Sequence, residues 1–283
     1  MAEILEKRPL TPITRLYRVD APLVAKSAQP GQFVIVRVRD GGERIPLTIA
    51  DYDRDAGTLT IVVQEVGTTT RYLGQLDVGD DILDLVGPLG MPLEIPVKGH
   101  IVGIGGGFGA AALLCLMREL RQRGDTTTII NGAREKDLLI LNDELAGVCD
   151  NLELCTDDGS AGFHGLVTER LAQLIDGDGP GRPDMVIAIG PMLMIRAVTE
   201  TTRGKDIPTL VSLDPLMIDG TGMCGGCRVT VDNEVKFACV DGPFFDAHQV
   251  DFEEAVRRNK MYVRQEGESK NRTACRKLVV GQD

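Results

Sequence analysis

The feature that most constrains this chain is a short stretch in which Cys224, Cys227 and Cys239 fall close together among Gly220, Gly222, Gly225 and Gly226. Thiols this crowded are paired, liganded or reactive, and each fate dictates the local backbone. The liganded state suits the glycines, because a backbone without side chains can curl around a metal centre and aim its N–H groups at the sulfurs. Cys224 and Cys227 form a C-x2-C pair, with Cys239 further on and Asp219 ahead of them. Asp219 occupies the first position of the plant-type 2Fe-2S spacing C-x4-C-x2-C. A structural zinc is the alternative, although its ligands commonly come as two close pairs whereas Cys239 stands alone, on an expected strand. Unliganded thiols are the third possibility. Asp219 is expected as the fourth ligand because of its offset, with Asp214, Asp241 and Cys275 as the other candidates. A carboxylate donates less electron density than a thiolate, so a cluster held by Asp219 is expected at a higher potential than an all-cysteine one.

The other four of the seven cysteines, Cys115, Cys149, Cys155 and Cys275, stand singly and are expected to be inert thiols. An odd count without an export signal gives little support to a disulfide scaffold. The formal net charge of −11 argues against nucleic acid or anionic lipid as partner, since an acidic surface gains nothing from releasing their counterions. The N-terminal residues lack an apolar signal core, and no apolar run is long enough to span a bilayer. A cytoplasmic protein is the expectation.

At 283 residues the chain is long enough for two or three compact units. Residues 1–96 alternate short apolar runs with turns, as in Phe33-Val-Ile-Val-Arg-Val and Leu59-Thr-Ile-Val-Val-Gln. That pattern predicts an antiparallel β-barrel. Residues 97–214 change to apolar strands followed by helical stretches, such as Ile101–Ile104 leading into Ala110–Arg123, which predicts a parallel-sheet α/β domain. Residues 215–283 form a small C-terminal segment: the cysteine loop, a hairpin turning at Asp232-Asn233, a helix over Phe252–Lys260, and an end carrying eight Lys or Arg after residue 250. The fold class expected is therefore β plus α/β with a small metal-binding appendage.

Gly105-Gly106-Gly107-Phe108-Gly109-Ala110 follows a strand and opens a helix, the setting in which such a loop brings a pyrophosphate against backbone N–H groups. A tight structural turn is the alternative. The acidic ribose ligand of a standard dinucleotide unit is missing, because the next strand ends at Arg134. Gly190-Pro191-Met192 ends a later strand and is placed for the nicotinamide side of the same crevice. In the barrel segment, Arg44 to Thr48 and Gly67 to Thr70 offer a cation, hydroxyls and backbone donors suited to a phosphate, though alone they read as strand and turn chemistry. His100, His164 and His248 are each expected to be structural, and no side chain is assigned a catalytic role.

Taken in order, GGGFGAA, GAR, TDDGSAGFHG, AIGPMLM and SLDPLMIDGTGMCGGC resemble the ferredoxin-NADP reductase superfamily over essentially the whole chain. More narrowly, they resemble the small subunits of electron-bifurcating NADH-dependent reduced ferredoxin:NADP oxidoreductases. The electron-transfer subunits of dihydroorotate dehydrogenase are cousins, in which a cysteine is expected where Asp219 stands. The resemblance implies FAD on the barrel, with Pro46, Leu47 and Thr48 as the flavin strand, Val62, Val63 and Gln64 as the next contact, and Gly67, Thr69 and Thr70 as the phosphate turn. The arginine expected directly before Pro46 is replaced by Ile45, with Arg44 one position early. The thiol often found before Gly190 in the superfamily is Ile189. NAD(H) is implied on Gly105, Gly106, Gly107, Gly109, Gly190, Pro191 and Met192. NADP(H) stays open, because Arg134 suits a 2′-phosphate while Asp157 and Asp158 repel one. The family further implies a 2Fe-2S cluster on Asp219, Cys224, Cys227 and Cys239, and a larger partner flavoprotein with a second FAD and 4Fe-4S clusters, through which ferredoxin reacts. A dihydroorotate dehydrogenase subunit, a free-standing reductase and a non-catalytic electron-transfer module are the alternatives.

Overall fold

The computed structural model describes residues 1–268, so Cys275 and the last part of the basic tail lie outside the described residues. Seven strands make the first sheet: β1 (Ala2–Thr11), β2 (Thr14–Asp20), β3 (Phe33–Arg37), β4 (Ile45–Asp53), β5 (Thr58–Gln64), β6 (Asp81–Ile82) and β7 (Asp84–Leu89). They run in the order β6-β1-β2-β5-β4-β3-β7, every pair antiparallel. Strand alternation sorts their side chains. Tyr17, Ile49, Leu59, Ile61 and Val63 fill the barrel, while Leu16, Ala50 and Val62 face outward into a different apolar cluster. The buried Tyr17 hydroxyl donates to the Leu73 carbonyl at 3.2 Å, and burial pushes its pKa up to about 12. Two short helices, α1 (Pro22–Ser27) and α2 (Thr68–Leu73), complete the barrel.

The second sheet holds β8 (His100–Gly106), β9 (Thr126–Ala133), β10 (Asn151–Thr156), β11 (Phe163–His164), β12 (Met185–Ile189) and β13 (Thr209–Ser212), all parallel, in the order β11-β10-β9-β8-β12-β13. Strand β8 is buried along its whole length, as a central parallel strand covered on both faces must be. The covering helices are α3 (Leu113–Arg123), α4 (Asn142–Val148), α5 (Val167–Ile175) and α6 (Met192–Thr202). The sequence pattern marks α3 and α6 but passes over α4 and α5. It also starts α3 early: Gly107–Ala112 forms a 3-10 turn before the α-helix begins. Two histidines are structural as expected, His100 bonding Thr128 and His248 bonding Thr202 through their Nε2 atoms.

The C-terminal segment opens with the hairpin of β14 (Arg228–Val231) and β15 (Glu234–Phe237), whose turn residues Asp232 and Asn233 both have positive φ, the conformation a two-residue hairpin demands. Cys239 does not continue the strand. It sits in a single turn, α7 (Ala238–Asp241), because the Asp241 carboxylate accepts the Phe237 N–H at 2.6 Å and the Ala238 N–H turns to the Cys227 carbonyl. The segment is also not self-contained. Its strand β16 (Phe244–Asp246) adds antiparallel to β13, extending the second sheet by an edge. Helix α8 (Phe252–Asn259) follows, its N-terminus capped by Asp251.

Barrel and α/β domain are joined by a polar seam between β4 and α3. Asp51 pairs with Arg118, the Tyr52 hydroxyl donates to Glu119, and the Arg54 and Arg118 guanidinium groups lie over the Tyr52 ring. Beneath it the Cys115 thiol donates to the Ile49 carbonyl, and burial pushes its pKa up to about 12, in keeping with an inert thiol. Phe245, only 8% exposed, anchors β16 in the core shared by the sheet and the cysteine segment. Phe245→Ala should therefore cost about 3–5 kcal/mol in chemical denaturation and open the C-terminal segment to limited proteolysis before the rest of the chain; equal protection of both regions would show that the segment is held by other contacts.

Candidate functional site

The cysteine loop begins at Asp219. Its carboxylate accepts the Thr221 N–H at 3.0 Å and the Cys224 N–H at 2.9 Å. These bonds, the Thr221 one foremost, hold its pKa below the usual carboxylate value. Gly220 and Gly222 follow in the left-handed region that glycine favours. A Cβ on Gly220 would lie 2.8 Å from Leu89 and 2.9 Å from Ile35, so the loop can rest on the barrel only with a glycine there.

The sulfurs are met by backbone donors. Gly222 N–H points to Cys239 Sγ at 3.2 Å, Cys239 N–H to Cys227 Sγ at 3.4 Å, and Gly226 N–H to Cys224 Sγ at 3.5 Å. Cys227 and Cys239 are buried with their sulfurs 3.1 Å apart and unbonded, while Cys224 is exposed. Burial and the adjacent Cys227 push the Cys239 thiol up to about 12, so metal binding there must displace a proton. Of the four expected ligands, the structure thus pairs Cys227 with Cys239 and links Asp219 to Cys224 through its backbone. Among the described residues no three His, Cys, Asp or Glu side chains are gathered as a ready metal site. The donor set and the N–H groups aimed at sulfur nevertheless fit a sulfur-bridged cluster, which needs thiolates spread around a core and donors to stabilise its charge. Of the other candidates for fourth ligand, Asp241 accepts the Phe237 N–H and Asp214 lines a cavity, while Cys275 lies outside the described residues.

That cavity, about 280 Å³, lies where the three segments meet. The barrel contributes Phe33, Pro46, Leu47, Thr48, Ala50 and Val62; the α/β domain contributes Phe108, Gly109, Ile189, Gly190, Ser212 and Asp214; and the cysteine segment contributes Pro215, Met217 and Pro243. Pro46 is tolerated in β4 because this strand pairs with β5 only from Ile49 onward, leaving an open edge beside the cavity. Its mostly apolar walls with a few polar groups suit a flat heteroaromatic ring such as a flavin. Of the residues expected to contact a cofactor, Pro46, Leu47, Thr48, Val62, Gly109 and Gly190 line this one space. Sequence reasoning assigned no cavity contact to Phe33, Phe108 or Asp214, although Phe108 stands within the glycine loop and Asp214 opens the cysteine segment. Val63 turns its side chain into the barrel core, because neighbours on a strand face opposite ways, so any contact it makes with the cavity is through backbone.

The remaining expected contacts lie outside the cavity lining. Thr69 and Thr70 stand at the start of α2, where Thr70 Oγ1 accepts the Gly67 N–H and the Thr69 hydroxyl donates to Glu43. Arg44 is exposed at the surface, and Gln64 ends β5 opposite Thr14. Nearby, Arg39 stacks 4.0 Å over the Tyr72 ring, a cation that the motif reading overlooked. In the dinucleotide loop, a Cβ on Gly105 would approach Ala110 to 2.6 Å and one on Gly109 would approach the Ile189 carbonyl to 2.6 Å, so both glycines are required by close packing. Gly107 instead has open space and a φ of +57°, leaving its backbone accessible to a ligand. Gly106 and Gly190 meet across the crevice under Met194, with Pro191 and Met192 at the entrance to α6. Arg134 comes beside Asp157 and Asp158 through backbone bonds from Asp157 to Ala133 and from Asp158 to Arg134. The Asp158 carboxylate accepts both N–H and hydroxyl of Ser160, which holds its pKa below the ordinary value.

Residues 214–251 match the iron-sulfur cluster binding domain of dihydroorotate dehydrogenase B. A Thermotoga maritima homologue of the dihydroorotate dehydrogenase B (NAD(+)) electron transfer subunit is 44% identical, covering 93% of this chain and 92% of its own. The solved structure of an NADH-dependent reduced ferredoxin-NADP oxidoreductase, determined for insight into flavin-based electron bifurcation, contains a chain 43% identical with a TM-score of 0.89, covering 96% of this chain and 97% of its own. A ferredoxin NADP+ reductase from Neisseria gonorrhoeae, 20% identical with a TM-score of 0.56 over 71% of this chain and 88% of its own, shares the fold.

Ser160→Ala should return the Asp158 pKa toward the ordinary aspartate value, as read by carboxyl carbon NMR titration. The depressed pKa means that the native-state benefit is present above the unfolded value and fades as pH falls through the folded one; an unchanged titration would show that Ser160 does not hold the carboxylate.

Proposed function

Because the chain belongs to the family of dihydroorotate dehydrogenase B electron transfer subunits and their homologues, on a ferredoxin-NADP reductase fold, we propose that it is the NADH-linked FAD and 2Fe-2S subunit of an electron-bifurcating NADH-dependent reduced ferredoxin:NADP oxidoreductase. The observation that carries this reading is the three-way junction: one cavity touches the open edge of β4, both glycine loops and the approach to the cysteine loop. When bound, FAD supplies a carrier that accepts two electrons as hydride and passes them on singly, and the cluster supplies a one-electron carrier.

The protein's own residues provide position and insulation. Pro46, Leu47, Thr48 and Val62 form the barrel wall against the ring, with the Gly67 to Thr70 turn toward the phosphates. Gly105, Gly106, Gly107 and Gly109 let the NADH pyrophosphate approach backbone, and Gly190, Pro191 and Met192 guide the nicotinamide to the same cavity. Arg134 with Asp157 and Asp158 forms the ribose end, where two carboxylates disfavour a 2′-phosphate and support NAD(H) over NADP(H). Asp219, Cys224, Cys227 and Cys239 would hold the cluster, which would supply a one-electron carrier beside the cavity. Met217 lines the cavity two residues before Asp219, so the two carriers would lie close together. A larger flavoprotein is the partner this reading requires, with ferredoxin reacting on that chain.

The Asp219 position favours this reading over a dihydroorotate-linked subunit, in which a cysteine is expected there. No described helix is long and apolar enough to cross a membrane. Anaerobically prepared protein should carry two irons and two sulfides per chain together with one FAD, and Cys239→Ala, which offers no donor atom, should lose the iron and sulfide while keeping the FAD. Iron retained in full by Cys239→Ala would refute the ligand set. Gly109→Val should raise the KM for NADH about tenfold or more in assays with an artificial acceptor, because its side chain displaces the loop from Ile189. A wild-type chain with bound FAD that oxidises no NADH would make it a passive electron-transfer module instead.

A further inference from the structure

Among the side chains lining the cavity, Asp214 alone is ionisable. It stands just past the C-terminal end of β13, the edge of the sheet where ligands bind in open α/β folds. Its carboxyl accepts a hydrogen bond from Asn259 Nδ2 at 3.4 Å, tying the cavity wall to the end of α8. The charged groups of the surrounding elements are engaged elsewhere. On α8, Arg258 donates to the Gly226 carbonyl and Glu254 accepts the Thr230 hydroxyl. Asp241 of α7 accepts the Phe237 N–H, and Asp219 binds its own loop. The barrel wall of the cavity, from Phe33 to Val62, contributes no ionisable group. Among the described residues, no charged side chain figures in the electrostatic surroundings of Asp214; desolvation dominates and raises its pKa above the ordinary value.

We propose that Asp214 sets the charge of the flavin cavity: its carboxylate disfavours reduction of the ring, and it takes up one solvent proton as negative charge accumulates beside it. The proposal rests on the FAD assignment made above and adds to it. The two electrons would arrive as hydride, which breaks a C–H bond of NADH and forms an N–H bond on the ring, and one proton would pass from solvent to the carboxylate, forming its O–H bond at the expense of a hydronium ion. Asp214 is exposed where it lines the cavity, and a like charge arriving beside it favours the neutral carboxylic acid, so reduction and protonation are linked. Asn259, whose amide stabilises the ionised form, sets the pH at which the exchange occurs. Asp214 is thus a charge-setting residue that acts by position, without bonding to the reacting atoms.

The test is spectroelectrochemical titration of the FAD-loaded chain over roughly pH 5 to 9, together with FAD stoichiometry. Asp214→Asn should keep its FAD, shift the ratio of oxidised to reduced cofactor affinity about tenfold toward the reduced form, which is about 30 mV upward for a two-electron couple, and lose one inflection in the plot of potential against pH. Asp214→Glu should keep the inflection, and Asn259→Ala should move it to higher pH. Wild-type protein that binds no FAD would overturn the flavin assignment and this inference with it. Full FAD in Asp214→Asn with an unchanged potential and pH dependence would overturn this inference alone. Loss of FAD from Asp214→Asn would make Asp214 an anchoring residue and also overturn the charge-setting role.

Discussion

Two consecutive carbonyls hold the molecule together where it matters. Gly242 accepts the Met91 N–H from the end of the barrel at 2.7 Å, and Pro243 accepts the Leu213 N–H from the end of β13 at 2.9 Å. Directly after them β16 enters the second sheet. Buried backbone groups must find partners, and here those partners belong to three different segments, so their satisfaction fixes the barrel, the α/β domain and the cysteine segment at one point. Pro243 also lines the cavity. The cavity is therefore a consequence of how the segments are pinned.

The same arrangement explains why the cysteine loop lies close to the cavity. Gly220 presses against Ile35 and Leu89 of the barrel, and Ile35 pairs with Pro46, which faces the cavity. Any residue other than glycine at position 220 would hold the loop away from β3. The seam between β4 and α3 works at the opposite side, where Asp51, Tyr52, Arg118 and Glu119 fix the angle between barrel and sheet. Partly buried ion pairs of this kind add modest stability but impose a geometry.

Electrostatics divide the molecule into two environments. The surface carries the excess of acidic groups behind the net charge of −11, while the cavity contains a single ionisable side chain. The sulfurs of Cys224, Cys227 and Cys239 are met by backbone N–H groups instead of cationic side chains. Charge at that end is thus balanced by dipoles whose positions the glycines set.

Much of this was determined by the sequence alone, because the decisive signals are local. The cysteine and glycine spacing from Asp219 to Cys239, the glycine loop after β8 and the Gly190 turn each encode a backbone shape within a few residues of chain, and the alternation of apolar runs separates barrel from α/β sheet. Neighbours in sequence are neighbours in space there, so spacing is geometry. Only the tertiary structure decided the rest. It showed that Val62 faces the cavity and Val63 the barrel core, that Cys239 sits in a helical turn, that the three residues of β16 belong to the second sheet, and that Phe33 and Asp214 line one cavity from different segments. None of these leaves a local trace, because each depends on which surfaces meet after residues far apart in the chain have packed, and a cavity exists only once all of its walls are in place.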